Sequence, residues 1–151
     1  MRFMVMIRAN KDTEAGVLPS KELLTAMGAF NEEMVKAGVM LAGEGLQASS
    51  KGARIKFSNG KHTVIDGPFP ETKELIAGFW ILQVKSKEEA IAWASRIPGA
   101  KGEVDHFGGT FEIEIRQLFD ASDFPPELFP PEEVKREEEL RDELQRKASK
   151  G

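Results

Sequence analysis

Residues 77–99 read AGFWILQVKSKEEAIAWASRIPG, and the fold turns on this stretch. Its first eight residues, Ala77 to Val84, are the most hydrophobic segment of the chain and predict a central strand. Ser86-Lys87-Glu88-Glu89 then carries the pattern of a capping box: the serine hydroxyl takes a backbone N–H of the first turn while Glu89 reaches back. Ala90, Trp93, Ala94 and Ile97 fall on one helical stripe, and Pro98-Gly99 stop the helix. A buried strand feeding an amphipathic helix is the first part of a β-α-β unit.

Downstream, GTFEIEIRQLF (109–119) closes that unit. Phe111, Ile113 and Ile115 alternate strictly with Glu112, Glu114 and Arg116, which predicts a strand buried on one side. Upstream lies a second unit. Phe3 to Ile7 is a short apolar run that predicts a buried first strand, bounded by Arg8-Ala9-Asn10-Lys11-Asp12. Ser20 is the expected N-cap of a helix with Glu22 in its positive first turn, and Leu23, Met27, Phe30 and Met34 line one face. Gly38 ends that helix, and VMLAGEGL (39–46) is a short strand broken by Gly43 and Gly45.

Between the units, residues 54–65 predict a β-hairpin around Asn59-Gly60, a dipeptide that tolerates the positive φ demanded at both positions of a type I′ turn. That turn pairs Phe57 with His62 and Ile55 with Val64 on one face. Arg54, Lys56, Lys61 and Thr63 take the other, more solvated face. The element order β-α-β, hairpin, β-α-β describes a ferredoxin-like α+β sandwich around an antiparallel sheet. Helices cover one sheet face; the other needs a cover or lines a cavity, and a homodimer packing sheet against sheet would supply one.

Beyond the body (residues 1–119), DASDFPPELFPPEE holds two Pro-Pro pairs, so residues 120–131 read as an extended linker. Residues 132–151 read as a charged helical arm with Glu132–Arg136, Glu137–Arg141, Asp142–Arg146 and Glu143–Lys147 spaced i,i+4. Its few apolar residues (Val134, Leu140, Leu144) cannot build an independent core.

Composition bounds the function. The chain has 151 residues, a net charge of −4 and no cysteine, which excludes disulfides, thiolate metal sites and a thiol nucleophile. An acidic balance argues against a nucleic-acid surface. Arg2 and Arg8 interrupt the short apolar N-terminus, so neither a signal segment nor a membrane span is expected and a cytoplasmic location follows. His62 and His106 do not form a metal-ligand spacing, and no glycine motif for phosphate is present, so no metal or cofactor is expected.

Several motifs together carry a resemblance. Asp66-Gly67-Pro68-Phe69, Glu71-Thr72-Lys73-Glu74, Gly78-Phe79-Trp80, Glu88-Glu89-Ala90, Trp93-Ala94 and Arg96-Ile97-Pro98 resemble the YCII-related superfamily in its DGPF branch. AGEGL at Ala42–Leu46 matches the family's usual second strand, and the likeness spans roughly residues 1–119. The resemblance implies a dimeric α+β barrel with a cleft beside the sheet, a fold whose relatives include cofactor-free monooxygenases and lactone-isomerising enzymes. Many members carry a His–Asp pair with the histidine on the first helix; residues 20–38 contain no histidine, so that pair is not transferred.

The remaining chemistry rests on polar residues near strand ends. Asp66, before Gly-Pro, is either an Asx-turn carboxylate accepting nearby backbone N–H groups or a general base at a cleft. Glu44, between glycines on an apolar strand, is either paired with Arg8 or Arg116 or functional. His106, beside Asp105 in a glycine-rich loop, is the third catalytic candidate. Arg8, Glu71, Lys73 and Arg116 are the candidate ligand contacts, although Glu71 and Lys73 equally suit charge pairing within their loop. Two functions follow. One is a small-molecule enzyme performing acid–base isomerisation or elimination on an organic acid or lactone. The other is a non-catalytic regulatory or partner-binding module, since DGPF-type proteins resemble companions of extracytoplasmic-function sigma factors.

Overall fold

The structure, a computed structural model, describes residues 1–99 and 111–150. It divides into two units, residues 1–118 and 119–151. In the first, β1 (Arg2–Arg8), β2 (Met40–Gly45), β5 (Ile76–Gln83) and β6 (Ile113–Gln117) form one sheet in the order β2-β5-β1-β6. Every adjacent pair is antiparallel. Two helices, α2 (Lys21–Lys36) and α3 (Lys87–Ala94), make the crossovers, so the β-α-β halves form a ferredoxin-like α+β fold.

Alternation sets the layers. Phe3, Val5 and Ile7 of β1 and Trp80 and Leu82 of β5 are buried with Leu23, Phe30 and Met34 of α2 and Ala90 and Ala94 of α3. Burying each large apolar side chain contributes about 1.5–3 kcal/mol, so this single cluster is what holds helices to sheet. The intervening residues of the same strands, Met4, Met6, Phe79 and Ile81, lie on the opposite sheet face and are half-buried.

The helix ends follow the sequence signals, with one variation. The Ser20 hydroxyl accepts the Leu23 N–H at 3.1 Å. Gly38, at φ +72°, closes α2 with paired bonds: its N–H donates to Val35 and the Val39 N–H donates to Met34, both at 3.0 Å. Ser86 caps α3 through the Glu89 N–H, but Glu89 accepts the N–H of Lys85, at 2.8 Å, instead of that of Ser86. A short helix α1 (Lys11–Glu14) also occupies what the sequence marks only as a strand boundary. Asn10 and Thr13 nucleate it by exchanging side-chain to backbone bonds at 2.8 Å in both directions.

The hairpin forms as expected, from β3 (Ala53–Ser58) and β4 (Lys61–Asp66), with Asn59 at φ +51° and Gly60 at φ +76°. Phe57 faces His62 and Ile55 faces Val64. The expectation of one protected face is corrected: β3 and β4 make a separate two-stranded sheet with all twelve residues exposed. The crossover after it is seated on the residue 49–51 turn. A Cβ at Gly67 would stand 1.8 Å from the Ser49 carbonyl oxygen, so only glycine fits there.

The second unit also departs from the sequence expectation. Residues 120–131 are not uniformly extended. Ala121–Asp123 form a 3-10 turn, the Leu128 and Phe129 N–H groups fold back on the Pro125 carbonyl, and Phe119, Phe124 and Phe129 pack as tilted rings with successive centroids 5.0 and 5.9 Å apart. Proline suits first-turn positions, where its missing N–H has no partner to lose. Helix α4 (Pro131–Ala148) starts on such a proline and carries Glu137–Arg141 and Glu143–Lys147 pairs, while Arg136 takes Glu133 instead of Glu132.

Two glycines separate packing from propensity. Gly67→Ala is expected to lose about 1–3 kcal/mol in urea unfolding, because the methyl meets backbone that cannot yield. Gly28→Ala, in the interior of α2 with open space around its Cβ, is expected to gain about 1 kcal/mol.

Candidate functional site

A cavity of about 830 Å³ lies between the start of α2 and the β2–β5 end of the sheet. Leu23, Leu24, Met27 and Asn31 contribute from α2, Ile7 and residues 77–80 from the sheet, and the rest comes from residues 13–19 and 43–51. Its wall is mostly apolar, with Thr13, Glu14, Asn31, Glu44, Gln47, Ser50 and Lys51 as polar interruptions.

Trp80 is the fixed point of this wall. Its ring packs edge-on to Phe30 at 6.1 Å and against Gly43, where an added Cβ would stand 2.6 Å from the indole Cδ1. Its Nε1–H donates to Asn31 Oδ1 at 2.8 Å. An indole nitrogen can only donate, so this bond fixes the orientation of the Asn31 amide. The Asn31 NH₂ group has no acceptor among the described residues and remains available at the cavity wall. Thr13 and Glu14 reach the wall because Asn10 folds α1 back there, a consequence of the Asn10–Thr13 cap.

The residues singled out in the sequence separate into three groups. Glu44 borders the cavity, opposite Phe79 across the β2–β5 pair; it is exposed and its carboxylate has no partner among the described residues. Arg8 and Arg116 come together on Glu114, at 2.7 and 3.7 Å, and Arg8 also donates to the Glu74 carbonyl at 3.2 Å. Neither pairs with Glu44, so the ion-pair reading of that residue does not hold. Glu71 pairs with Arg54 at 3.2 Å, and Lys73 has no ion-pair partner among the described residues. Of the described residues chosen from sequence, only Glu44 lines the cavity; Asp66, Arg8, Glu71, Lys73 and Arg116 do not. His106 lies outside the described residues.

Asp66 is the exposed last residue of β4, opposite Ala53. Its carboxylate accepts no hydrogen bond among the described residues, so the Asx-turn explanation is replaced by another. The Gly67 N–H donates to the Gly52 carbonyl at 3.0 Å, and the Phe69 N–H donates to Ser49 Oγ at 3.0 Å. Ser49 is itself held by Glu14: its backbone N–H donates to Oε1 at 3.0 Å and its hydroxyl donates to Oε2. The Arg54 guanidinium lies over the Phe69 ring, 3.9 Å from its centroid. Asp66-Gly67-Pro68-Phe69 is thus a clasp on the 49–51 turn, whose Ser50 and Lys51 line the cavity.

Sequence reasoning missed Asn31, Glu14 and Ser49. The Asn10–Thr13 spacing was the available signal for α1, and hence for the placement of Glu14. Asn31 and Ser49 meet partners 49 and 35 residues away, a separation that no local pattern encodes.

Among the described residues no cluster of three or more His, Asp or Glu side chains is placed to hold a metal ion. Nor is any described helix long and apolar enough to cross a membrane.

Comparison with known proteins places the body of the chain. The YCII-related domain matches residues 1–116. An uncharacterized protein of Rhizobium meliloti (strain 1021) is 27% identical over 105 residues, covering 70% of this chain and 82% of that protein. Among solved structures, 5-chloro-2-hydroxyhydroquinone dehydrochlorinase from Burkholderia phenoliruptrix AC1100, in complex with 2,5-dihydroxybenzoquinone, aligns over 83% of this chain and 100% of its own. The identity is 13% and the TM-score 0.42.

The Ser49 clasp is open to direct test. Ser49→Ala removes the acceptor of the Phe69 N–H and the hydroxyl held by Glu14, so a loss of about 1–3 kcal/mol is expected in urea unfolding. Amide hydrogen exchange at Phe69 should accelerate, while exchange at Val5 in the central strand should change only as global stability does.

Proposed function

This chain belongs to the YCII-related domain family, and we propose that its cavity binds a small organic molecule bearing a carbonyl or carboxylate oxygen. The observation that carries this reading is the cavity itself. Its volume of about 830 Å³ and its mostly apolar wall with a few polar groups match the ordinary form of a small-molecule site. The Asn31 NH₂ supplies hydrogen-bond donors suited to a carbonyl or carboxylate oxygen. Glu44 borders the cavity but is paired with Phe79, so its side chain stands on the sheet face away from α2 and supplies no base beside Asn31. A fixed neutral donor on an apolar wall suits the binding of a small organic acid or lactone.

Asp66 has a smaller place in this chemistry than its motif suggests, since it does not line the cavity. The DGPF segment supports the site indirectly, through the 49–51 turn.

The half-buried sheet face opposite the helices supports a second element of the proposal, a homodimer. Met4, Met6, Phe79 and Ile81 form a contiguous apolar strip across β1 and β5, with Phe79 paired to Met6 and Ile81 to Met4. Packing such strips across a two-fold axis removes apolar surface from water in both copies.

Binding can be read without knowing the natural ligand. The protein is titrated with a panel of small keto acids and lactones, and the Trp80 indole N–H signal is followed in ¹⁵N-correlated NMR spectra. At least one compound is expected to shift it saturably, and Asn31→Ala is expected to raise that compound's Kd by roughly 3–10-fold. Equal affinity in the variant would remove Asn31 as the contact, and no shift with any compound would remove the cavity reading. For assembly, sedimentation velocity should give twice the chain mass for the wild type and a monomer for Ile81→Glu. A wild-type monomer at micromolar concentration would contradict the dimer.

A further inference from the structure

The sheet face away from the helices is apolar in its middle and charged at its margins. Strand alternation puts Met4 and Met6 of β1, Phe79 and Ile81 of β5, and Ala42 and Glu44 of β2 on that face. Glu114 and Arg116 of β6 join them, level with Met6 and Met4. The register therefore lays two rows across the four strands: Ala42-Ile81-Met4-Arg116 and Glu44-Phe79-Met6-Glu114.

The two margins differ in sign. Glu44 is the only charged residue of β2, and it is exposed with no ion-pair partner among the described residues. On the β1–β6 side, Arg2, Arg8 and Arg116 share the face with Glu112 and Glu114, so positive charge is in excess. Arg8 holds Glu114 at 2.7 Å, which leaves Arg116 a loose contact to the same carboxylate at 3.7 Å and a side chain 75% exposed. Glu44 and Arg116 cannot meet within one chain, because β2 and β6 lie three strand spacings apart, about 14 Å.

Two copies packed face to face about a two-fold axis have two aligned choices. An axis across the strands sets β2 on β2 and β6 on β6, so each margin meets its own sign. An axis parallel to the strands sets β2 of each chain over β6 of the other, and the apolar middles still coincide. Glu44 then arrives level with Glu114 of the partner subunit, which Arg8 already occupies. Arg116 of the partner subunit stands two residues along, about 7 Å away, a distance that its long side chain spans.

We infer that this face docks a second copy of the chain with the two-fold axis parallel to the strands, and that Glu44 pairs with Arg116 of the partner subunit at each end of the interface. The inference rests on the proposed homodimer and adds its orientation. Solvent screens rim charges, so they select orientation more than they add affinity. Symmetry doubles their effect here, since each chain supplies one Glu44 and one Arg116.

The test uses Glu44→Arg and Arg116→Glu in the full chain, singly and mixed. The dimer Kd is read by sedimentation velocity over a dilution series, and heterodimers by native mass spectrometry with one chain ¹⁵N-labelled. Each variant alone is expected to raise the Kd by roughly 10–100-fold, because like charges then face each other twice. Equimolar Glu44→Arg and Arg116→Glu are expected to form the heterodimer in preference to either homodimer, with a Kd near that of the wild type. Glu44→Gln and Arg116→Gln, each expected to weaken the dimer roughly two- to tenfold, keep the test valid if a charge reversal does not fold.

Unchanged dimer Kd in all four variants, with statistical mixing of chains, would overturn the pairing and leave the homodimer intact. A heterodimer of Glu44→Arg with the wild type that is tighter than the wild-type homodimer would set β2 over β2 and overturn the axis. A wild-type chain that stays monomeric at micromolar concentration would overturn both the orientation and the homodimer.

Discussion

The contact between the Trp80 indole and the bare backbone of Gly43 is the constraint on which the first unit depends. An indole is the bulkiest side chain the core must accommodate, and it fits only because the neighbouring strand offers no Cβ there. Once seated, the ring meets Phe30 edge-on and donates to Asn31, so one side chain ties β2, β5 and α2 together. Burial supplies most of the energy and the hydrogen bond supplies direction. The same contact fixes the Asn31 amide at the cavity wall and makes the indole part of that wall. Packing and site are therefore one arrangement here.

A second chain of contacts runs parallel to the first and carries no chemistry of its own. Glu14 holds Ser49, and Ser49 holds the Phe69 N–H. Gly67 lies flush on the Ser49 carbonyl, and Arg54 covers Phe69. The DGPF motif thus marks a mechanical junction where hairpin, crossover and the 49–51 turn meet. Its glycine, aromatic ring and neighbouring arginine are explained by packing, whereas its aspartate is not.

Local order was legible in the sequence to a high degree. Ser20, Gly38, Asn59-Gly60 and the alternation of residues 111–116 each encode their own geometry within a few residues, and each forms as its chemistry requires. Legibility ended where an outcome depended on partners distant in the chain. The pairing of Phe57 with His62 could be read, but not that the hairpin would stand outside the main sheet. Glu44 stood out as a carboxylate among glycines, and it alone of the described site candidates borders the cavity. Arg8 and Arg116 were read as partners for Glu44, yet the register of β1 and β6 presents Glu114 to both. Asn31 was invisible because a polar residue on an amphipathic helix looks like any solvated position until its indole partner is known.

The central claim is that the space beside Trp80, and not the surface around Asp66, is where a ligand sits. A crystallographic soak of a diverse fragment set measures this most directly, because it lets chemistry choose the place. The account predicts fragments concentrated against Trp80 and Asn31. Fragments gathered around Asp66, with the cavity left to solvent, would contradict it.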